Sequence, residues 1–339
     1  MMARPQNKDE YRQNLAEMFA GILEEKGLNW QKEWHGTGGS APHNGITKAC
    51  YKGTNAFLLS LVAMVKGYND PRWFTMVQIM DKGKKYHPKD HWHLKAGTKA
   101  IYVEYWYPFD IKQKRALTWE EYKDEIARGR TEESFRLCTK YTAVFNACEV
   151  EGLPPYEHTE HVIEADRDVI DALSVGMDVP IFYDGGDEAY YSPRRDEIHM
   201  PAPEAFTSEY AFNATALHEL AHSSGHPERL GRLENGMFGS PQYAYEELVA
   251  EMTACFMSVN LPMEATKDHL DNHKAYVQAW IQAIRDKPDT LVKAIKDAQA
   301  AANYMEWKGG FITEKEYLDH RNSTMTVQVK GARSLDRER

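Results

Sequence analysis

The sequence has no uninterrupted apolar run approaching the ~18 residues of a membrane span, and its polar opening, MMARPQNKDEYRQN, has no apolar core of a secretory leader. Both absences point to a cytoplasmic protein with no membrane partner. Cysteine is scarce. Cys50, Cys138, Cys148 and Cys255 are widely spaced and form no CxxC pair, which excludes a disulfide scaffold and a cysteine zinc site. They read as reduced packing residues. No internal repeat or low-complexity tract occurs. Base is outnumbered by acid, for a net charge of -10, but unevenly: residues 1–150 carry 23 Lys and Arg against 18 Asp and Glu, and residues 151–339 carry 18 against 33. The most basic window, 44–115, counts 13 against 5. One half can therefore meet a polyanion that the other repels.

A chain of 339 residues with 42% hydrophobic residues is long enough for two cores. Tyr11, Leu15, Met18, Phe19 and Ile22 recur at helical spacing, so the chain opens with an amphipathic helix over 8–26. Thr54 is placed to cap NAFLLSLVAMVKG, which Gly67 closes, and Thr75 to cap another short helix. AIYVEYWYPF and KYTAVFNACEV have strand composition, and the charged segment 108–136 reads as an insertion between them. The proline-containing EGLPPYEHTEH marks a boundary near 150–160. After it come a helix over 163–176, short strands in VPIFYDGG and EAYYSPRRDEIHMP, a helix carrying HELAHSSGH, and helices over 243–260 and 268–305, the last interrupted near Pro288. That order implies an α+β fold with domains at 1–155 and 156–310 and a flexible tail at 311–339.

The chemistry is concentrated in HELAHSSGH, residues 218–226. Four residues is one helical turn, so His218 and His222 can offer two imidazoles to one ion. Glu219, one residue after the first, falls beside such an ion as a general base for water. Catalytic zinc usually takes a third protein ligand. His226 is the nearest, but it follows the helix-ending Gly225 and its spacing of eight differs from the ten of HExxHxxGxxH. The stronger candidate is in YAYEELVAEMTACFMSV, where Leu248, Met252, Cys255 and Val259 define a buried face, with Glu247 and Glu251 along its edge one turn apart and Glu246 turned toward water. A carboxylate beside an apolar stripe is costly unless paired or bound to a cation, which singles out Glu247 and Glu251.

HExxH followed by a later helix with such a Glu resembles the gluzincin arrangement. The resemblance implies Glu247 as third ligand to Zn2+, or another divalent metal such as Mn2+, and Glu251 as the partner that orients His218. More closely, AYYSPRRDEIHMP, HELAHSSGH and YEELVAEMTACF are similar to motifs of the ArdC-like antirestriction proteins, as are YKGTNAFLLSL, DPRWFT and YTAVFNACEVEGL in the N-terminal half. The resemblance spans nearly the whole chain, except 108–136 and the tail after about 310. It implies an N-terminal mixed α/β domain that binds single-stranded DNA, a C-terminal zincin-like (gluzincin-type) metallopeptidase domain, and protection of mobile-element or phage DNA from host restriction. A host restriction enzyme or other protein would be the substrate. Tyr243, Tyr245 and His226 are candidate stabilisers of the oxyanion, and a strand in YYSPRRDEIHM could offer its edge to an extended peptide. The alternative is a zincin fold without proteolysis that shields DNA or mimics its charge.

Single-strand binders combine cations along the phosphates with rings on which bases stack. Arg72, Trp73, Lys82, Lys84, Lys85, Trp92, Lys95 and Lys99 supply both types in the basic window and are the candidate contacts. No base-reading motif is present, so binding would tolerate sequence.

Overall fold

The computed structural model describes residues 4–27, 41–86, 92–157, 166–184, 186–206, 208–233, 240–260 and 274–319. Asn7 opens helix α1 (Lys8–Lys26) by accepting the Glu10 N–H at 2.9 Å, and Tyr11, Leu15, Phe19, Ile22 and Leu23 are buried along one side. The N-terminal half continues as β1 (His43–Asn44), α2 (Gly53–Lys66), β2 (Arg72–Thr75), α3 (Met76–Tyr86), β3 (His93–Leu94), β4 (Ile101–Asp110), β5 (Arg115–Ala116), α4 (Trp119–Ala127), β6 (Phe135–Asn146) and β7 (Val150–Glu151). Helix α2 begins at Gly53 with no side-chain cap, so Thr54 does not serve as the expected cap; Gly67 ends it in the left-handed region, at φ 65°. Thr75 does accept the Gln78 N–H, at 3.3 Å, as α3 begins.

Five strands form one sheet in the order β1-β2-β6-β4-β5, with β1 parallel to β2 and the other pairs antiparallel. Strands β4 and β6 pair from Ile101 opposite Val144 to Asp110 opposite Phe135. The segment 108–136 is thus the far end of this long hairpin. Its charge is explained locally: Arg130 neutralises the buried Asp110 and Glu125, and α4 is held by a capping box between Thr118 and Glu121.

The second half comprises α5 (Asp166–Met177), β8 (Ile181–Phe182), β9 (Tyr190–Ser192), β10 (Glu197–His199), α6 (Glu209–Ser224), α7 (Pro241–Asn260), α8 (Lys274–Asp286) and α9 (Asp289–Lys308). The sheet order β8-β10-β9 leaves β9 as an outer strand against α6. Helix α7 packs between α6, α8 and α9. No described helix is long and apolar enough to cross a membrane.

One hydrophobic core runs through both halves and joins Leu15, Phe19 and Phe57 to Leu217, Met252, Trp280 and Met305. Full burial of such side chains contributes about 1.5–3 kcal/mol each. Helix α1 packs on α8 and α2 on α9, and Arg285 pairs with Glu17 and Glu24 across the first contact. The start of the expected linker also packs on the N-terminal half, where the Pro154 carbonyl accepts from Arg72; 158–165 lie outside the described residues. At the other end, Tyr317 is buried and stacks on Trp307 at 4.5 Å, so the packed chain extends into the segment expected as tail. The four cysteines are free; Cys255 is buried, but Cys50 is exposed and not a core residue.

Candidate metal centre

Ser208 caps α6 by accepting the Ala211 N–H at 3.1 Å. The helix can be buried nearly all round because its hydroxyls bond back along it: Thr215 to the Ala211 carbonyl, Ser223 to Leu220 and Ser224 to Ala221. Its solvent-poor side faces α7, and the two helices bring their polar residues together.

The Nε2 atoms of His218 and His222 are 3.0 Å apart, with their rings at 85°. Glu247 of α7 places Oε2 3.5 Å from Nε2 of His218 and Oε1 3.5 Å from Nε2 of His222. One ligand atom from each of the three lies within 4.8 Å of the others, and among the described residues this is the one group of His, Cys, Asp and Glu so arranged. Tetrahedral zinc bonds of about 2.0–2.1 Å place ligand atoms about 3.3–3.4 Å apart, so the donor set and its spacing fit a small divalent cation.

Each imidazole has a carboxylate behind it. Glu251 lies 3.7 Å from Nδ1 of His218, and Glu246 lies 3.5 Å from Nδ1 of His222. Glu246 does not face water as expected. It is 8% exposed, because Arg232 folds back from the loop after α6 and covers it, bonding both carboxylate oxygens and also the Ala221 carbonyl. Burial pushes the Glu246 carboxyl up, but His222 and Arg232 outweigh it and hold the group below its usual value. For His218, burial acts to lower the pKa; Glu251, Glu247 and Glu219 outweigh that and hold the imidazole well above its ordinary value. Glu219 is buried and makes no side-chain hydrogen bond among the described residues.

The other expected site residues are not part of this converging set. His226 sits in the turn after α6, half-exposed, with Nδ1 accepting the Glu228 N–H. The Tyr245 hydroxyl donates to Asp297 at 2.8 Å and accepts from Lys293, so it is committed to α9 and unavailable to an oxyanion. Tyr243 lies half-buried one turn before Glu247, on the same side of α7. Sequence reasoning missed Glu246 and Arg232. No local signal marked the pair, because Arg232 has the nearer acids Glu228 and Glu234 in sequence and reaches Glu246 only through the fold.

Two of the expected DNA contacts are buried structural residues. Arg72 is 8% exposed and forks onto Asp70, and Trp73 is 1% exposed in the core, so neither can meet a phosphate or a base. Trp92 is half-buried edge-on to Phe74. Lys95 and Lys99 are exposed, the former donating to the Cys148 carbonyl at 2.7 Å. The side chains of Lys82, Lys84 and Lys85 lie outside the described part of the chain.

The family described as the N-terminal domain of anti-restriction factor ArdC matches residues 8–145, and the one described as zincin-like metallopeptidase matches residues 168–297. Crystal structures of antirestriction protein ArdC from plasmid R388, one metal-free and one Mn(II)-bound, are similar with a TM-score of 0.67 and 27% identity, over 89% of this chain and 99% of theirs. DNA primase TraC of Escherichia coli is 32% identical over 306 residues, 88% of this chain and 27% of TraC. A second TraC is matched over 20% of its length, so the chain spans about a quarter or less of these primases. The uncharacterized protein y4eC of Sinorhizobium fredii (strain NBRC 101917 / NGR234) is 28% identical, over 89% of this chain and 93% of its own.

Proposed function

We propose that this ArdC-like chain, an N-terminal ArdC domain joined to a zincin-like metallopeptidase domain, acts in antirestriction as a metal-dependent peptidase that also binds single-stranded DNA. The peptidase reading is carried by the convergence of His218, His222 and Glu247 on one point beside the buried Glu219. Zinc or manganese suits two imidazoles and a carboxylate, and the Mn(II)-bound relative agrees. A bound divalent ion supplies Lewis acidity to a water and to the substrate carbonyl.

The protein's own groups do the rest. Glu219 takes the proton of the attacking water and returns it to the leaving amine. Glu251 and Glu246 stand behind the two imidazoles at Nδ1 and would orient them as ligands, leaving Nε2 of each free for a divalent ion. Tyr243, one turn before Glu247, is the remaining candidate to steady the oxyanion. The outer strand β9 can take an extended peptide beside α6. A host restriction enzyme is the substrate class that fits an antirestriction role.

Restriction of incoming DNA in cells carrying wild type, Glu219→Ala or His222→Ala, with metal content measured on each protein, tests this. Glu219→Ala is expected to keep its metal and lose protection. Full protection by Glu219→Ala would replace the peptidase reading with DNA shielding.

A further inference from the structure

The long β4–β6 hairpin has two unlike faces. Residues directly opposite each other in an antiparallel pair share a face, and successive residues alternate. On one face lie the pairs Glu104–Tyr141 and Asp110–Phe135, whose acids are already engaged: Glu104 accepts from the Trp106 indole and the Tyr141 hydroxyl, and Asp110 accepts from Arg130. The other face presents Tyr105 opposite Lys140, Tyr107 opposite Cys138 and Phe109 opposite Arg136. These three pairs bring two cations and no acid.

The rings form a row. Tyr105 and Tyr107 lie nearly parallel, at 15°, with centroids 6.5 Å apart, and Tyr105 is 45% exposed. Lys140 sits 4.7 Å over the Tyr105 ring and Arg136 4.6 Å over Phe109, both cations exposed. Lys112 and Lys114 stand exposed at the turn beyond. A row of rings, Tyr105 exposed and Tyr107 and Phe109 half-buried, with cations at its margin is the chemistry that single-strand binders use. The spacing distinguishes the kind of strand. A step of 6.5 Å is nearly twice the ~3.4 Å rise per base of a stacked duplex, so one ring can meet one base only where bases are unstacked and the backbone extended.

We propose that this face of the β4–β6 hairpin is the single-stranded-DNA track, with Tyr105 and Tyr107 stacking successive bases and Lys140 and Arg136 moving from the rings onto phosphates. The inference rests on the single-strand reading above and names the surface that carries it. It replaces Arg72 and Trp73, whose side chains are buried.

Fluorescence anisotropy of the full chain with a labelled oligothymidylate covering a site of about 16 nucleotides tests it. Tyr105→Leu and Tyr107→Leu are each expected to weaken binding roughly 5- to 150-fold, with Tyr105→Trp restoring it; a π-face does this, whereas mere packing would not distinguish Leu so sharply. Arg136→Gln with Lys140→Gln should lower the slope of log affinity against log salt by about 1.4. Binding by all these variants within about twofold of wild type, or equal binding of blunt duplex, overturns the assignment. So does a loss confined to Lys95→Gln with Lys99→Gln. If wild type fails to bind the oligonucleotide, the single-strand reading itself falls; if wild type binds and only the hairpin variants are silent, the reading stands and this surface is wrong.

Discussion

Arg232 grips Glu246 through two parallel hydrogen bonds, Nε to Oε2 at 2.9 Å and Nη2 to Oε1 at 2.8 Å, and the same carboxylate lies 3.5 Å from Nδ1 of His222. The pair is buried, so it constrains the imidazole as a fixed part of the core would. Arg232→Met leaves a buried carboxylate without its guanidinium, which should cost about 3–5 kcal/mol of stability. Loss of an outer partner typically weakens a metal site 10- to 100-fold. Melting curves and calorimetric titration with Mn2+ check both, and an unchanged metal affinity would show that Glu246 does not act through His222.

His218 should make metal binding a proton-coupled event. Glu251, Glu247 and Glu219 hold its pKa well above the ordinary value, so the metal-free imidazole keeps its proton to higher pH than a free histidine, and an ion must displace it. Binding should release protons and tighten as pH rises. Titration calorimetry in two buffers of different ionisation enthalpy measures the release; none observed would contradict the assignment of His218 as a ligand.

His199 gives a second pH dependence, one of stability and not of metal binding. Its ring lies between Phe182 and Tyr190, with Nδ1 2.6 Å from Asp184 and Nε2 3.1 Å from Glu197. Hydrogen bonds to Asp184 and Glu197 raise its pKa against a smaller opposing effect of burial. A group raised on folding contributes stability that is fully present below its unfolded pKa, about 6.5, and is lost as pH rises through the folded value. The melting temperature of wild type should therefore exceed that of His199→Gln most near pH 6 and less near pH 8.5. A pH-independent gap would rule out the charged pairing.

Gly176 marks a close approach of backbones. A Cβ there would lie 1.9 Å from the Lys308 carbonyl oxygen, where α5 meets the end of α9. Helix propensity alone favours Ala by about 1 kcal/mol, whereas forced overlap with backbone costs about 1–3 kcal/mol or more. Gly176→Ala should be net destabilising in urea unfolding, and a stabilised variant would mean that the two helices part at little cost.

How much was legible depended on whether the signal was local. The turn-spaced His218 and His222, and Glu247 with Glu251 on the edge of an apolar stripe, are periodic within one helix and could be read directly. Glu246 could not, because its burial is imposed by Arg232 from another segment. Arg72 and Trp73 have the composition of a nucleic-acid contact, yet Asp70 two residues earlier captures the guanidinium and the core takes the indole. The β4–β6 hairpin outran its expected ends because cross-strand pairing carried strand into residues whose charge suggested a loop.

The most direct test of the metal centre is calorimetric titration of Mn2+ into wild type, Glu247→Ala and Glu219→Ala. Wild type should take up one ion per chain, Glu219→Ala should bind nearly as well, and Glu247→Ala should lose at least the 10- to 100-fold typical of a lost outer partner. Undiminished binding by Glu247→Ala would contradict the proposed ligand set.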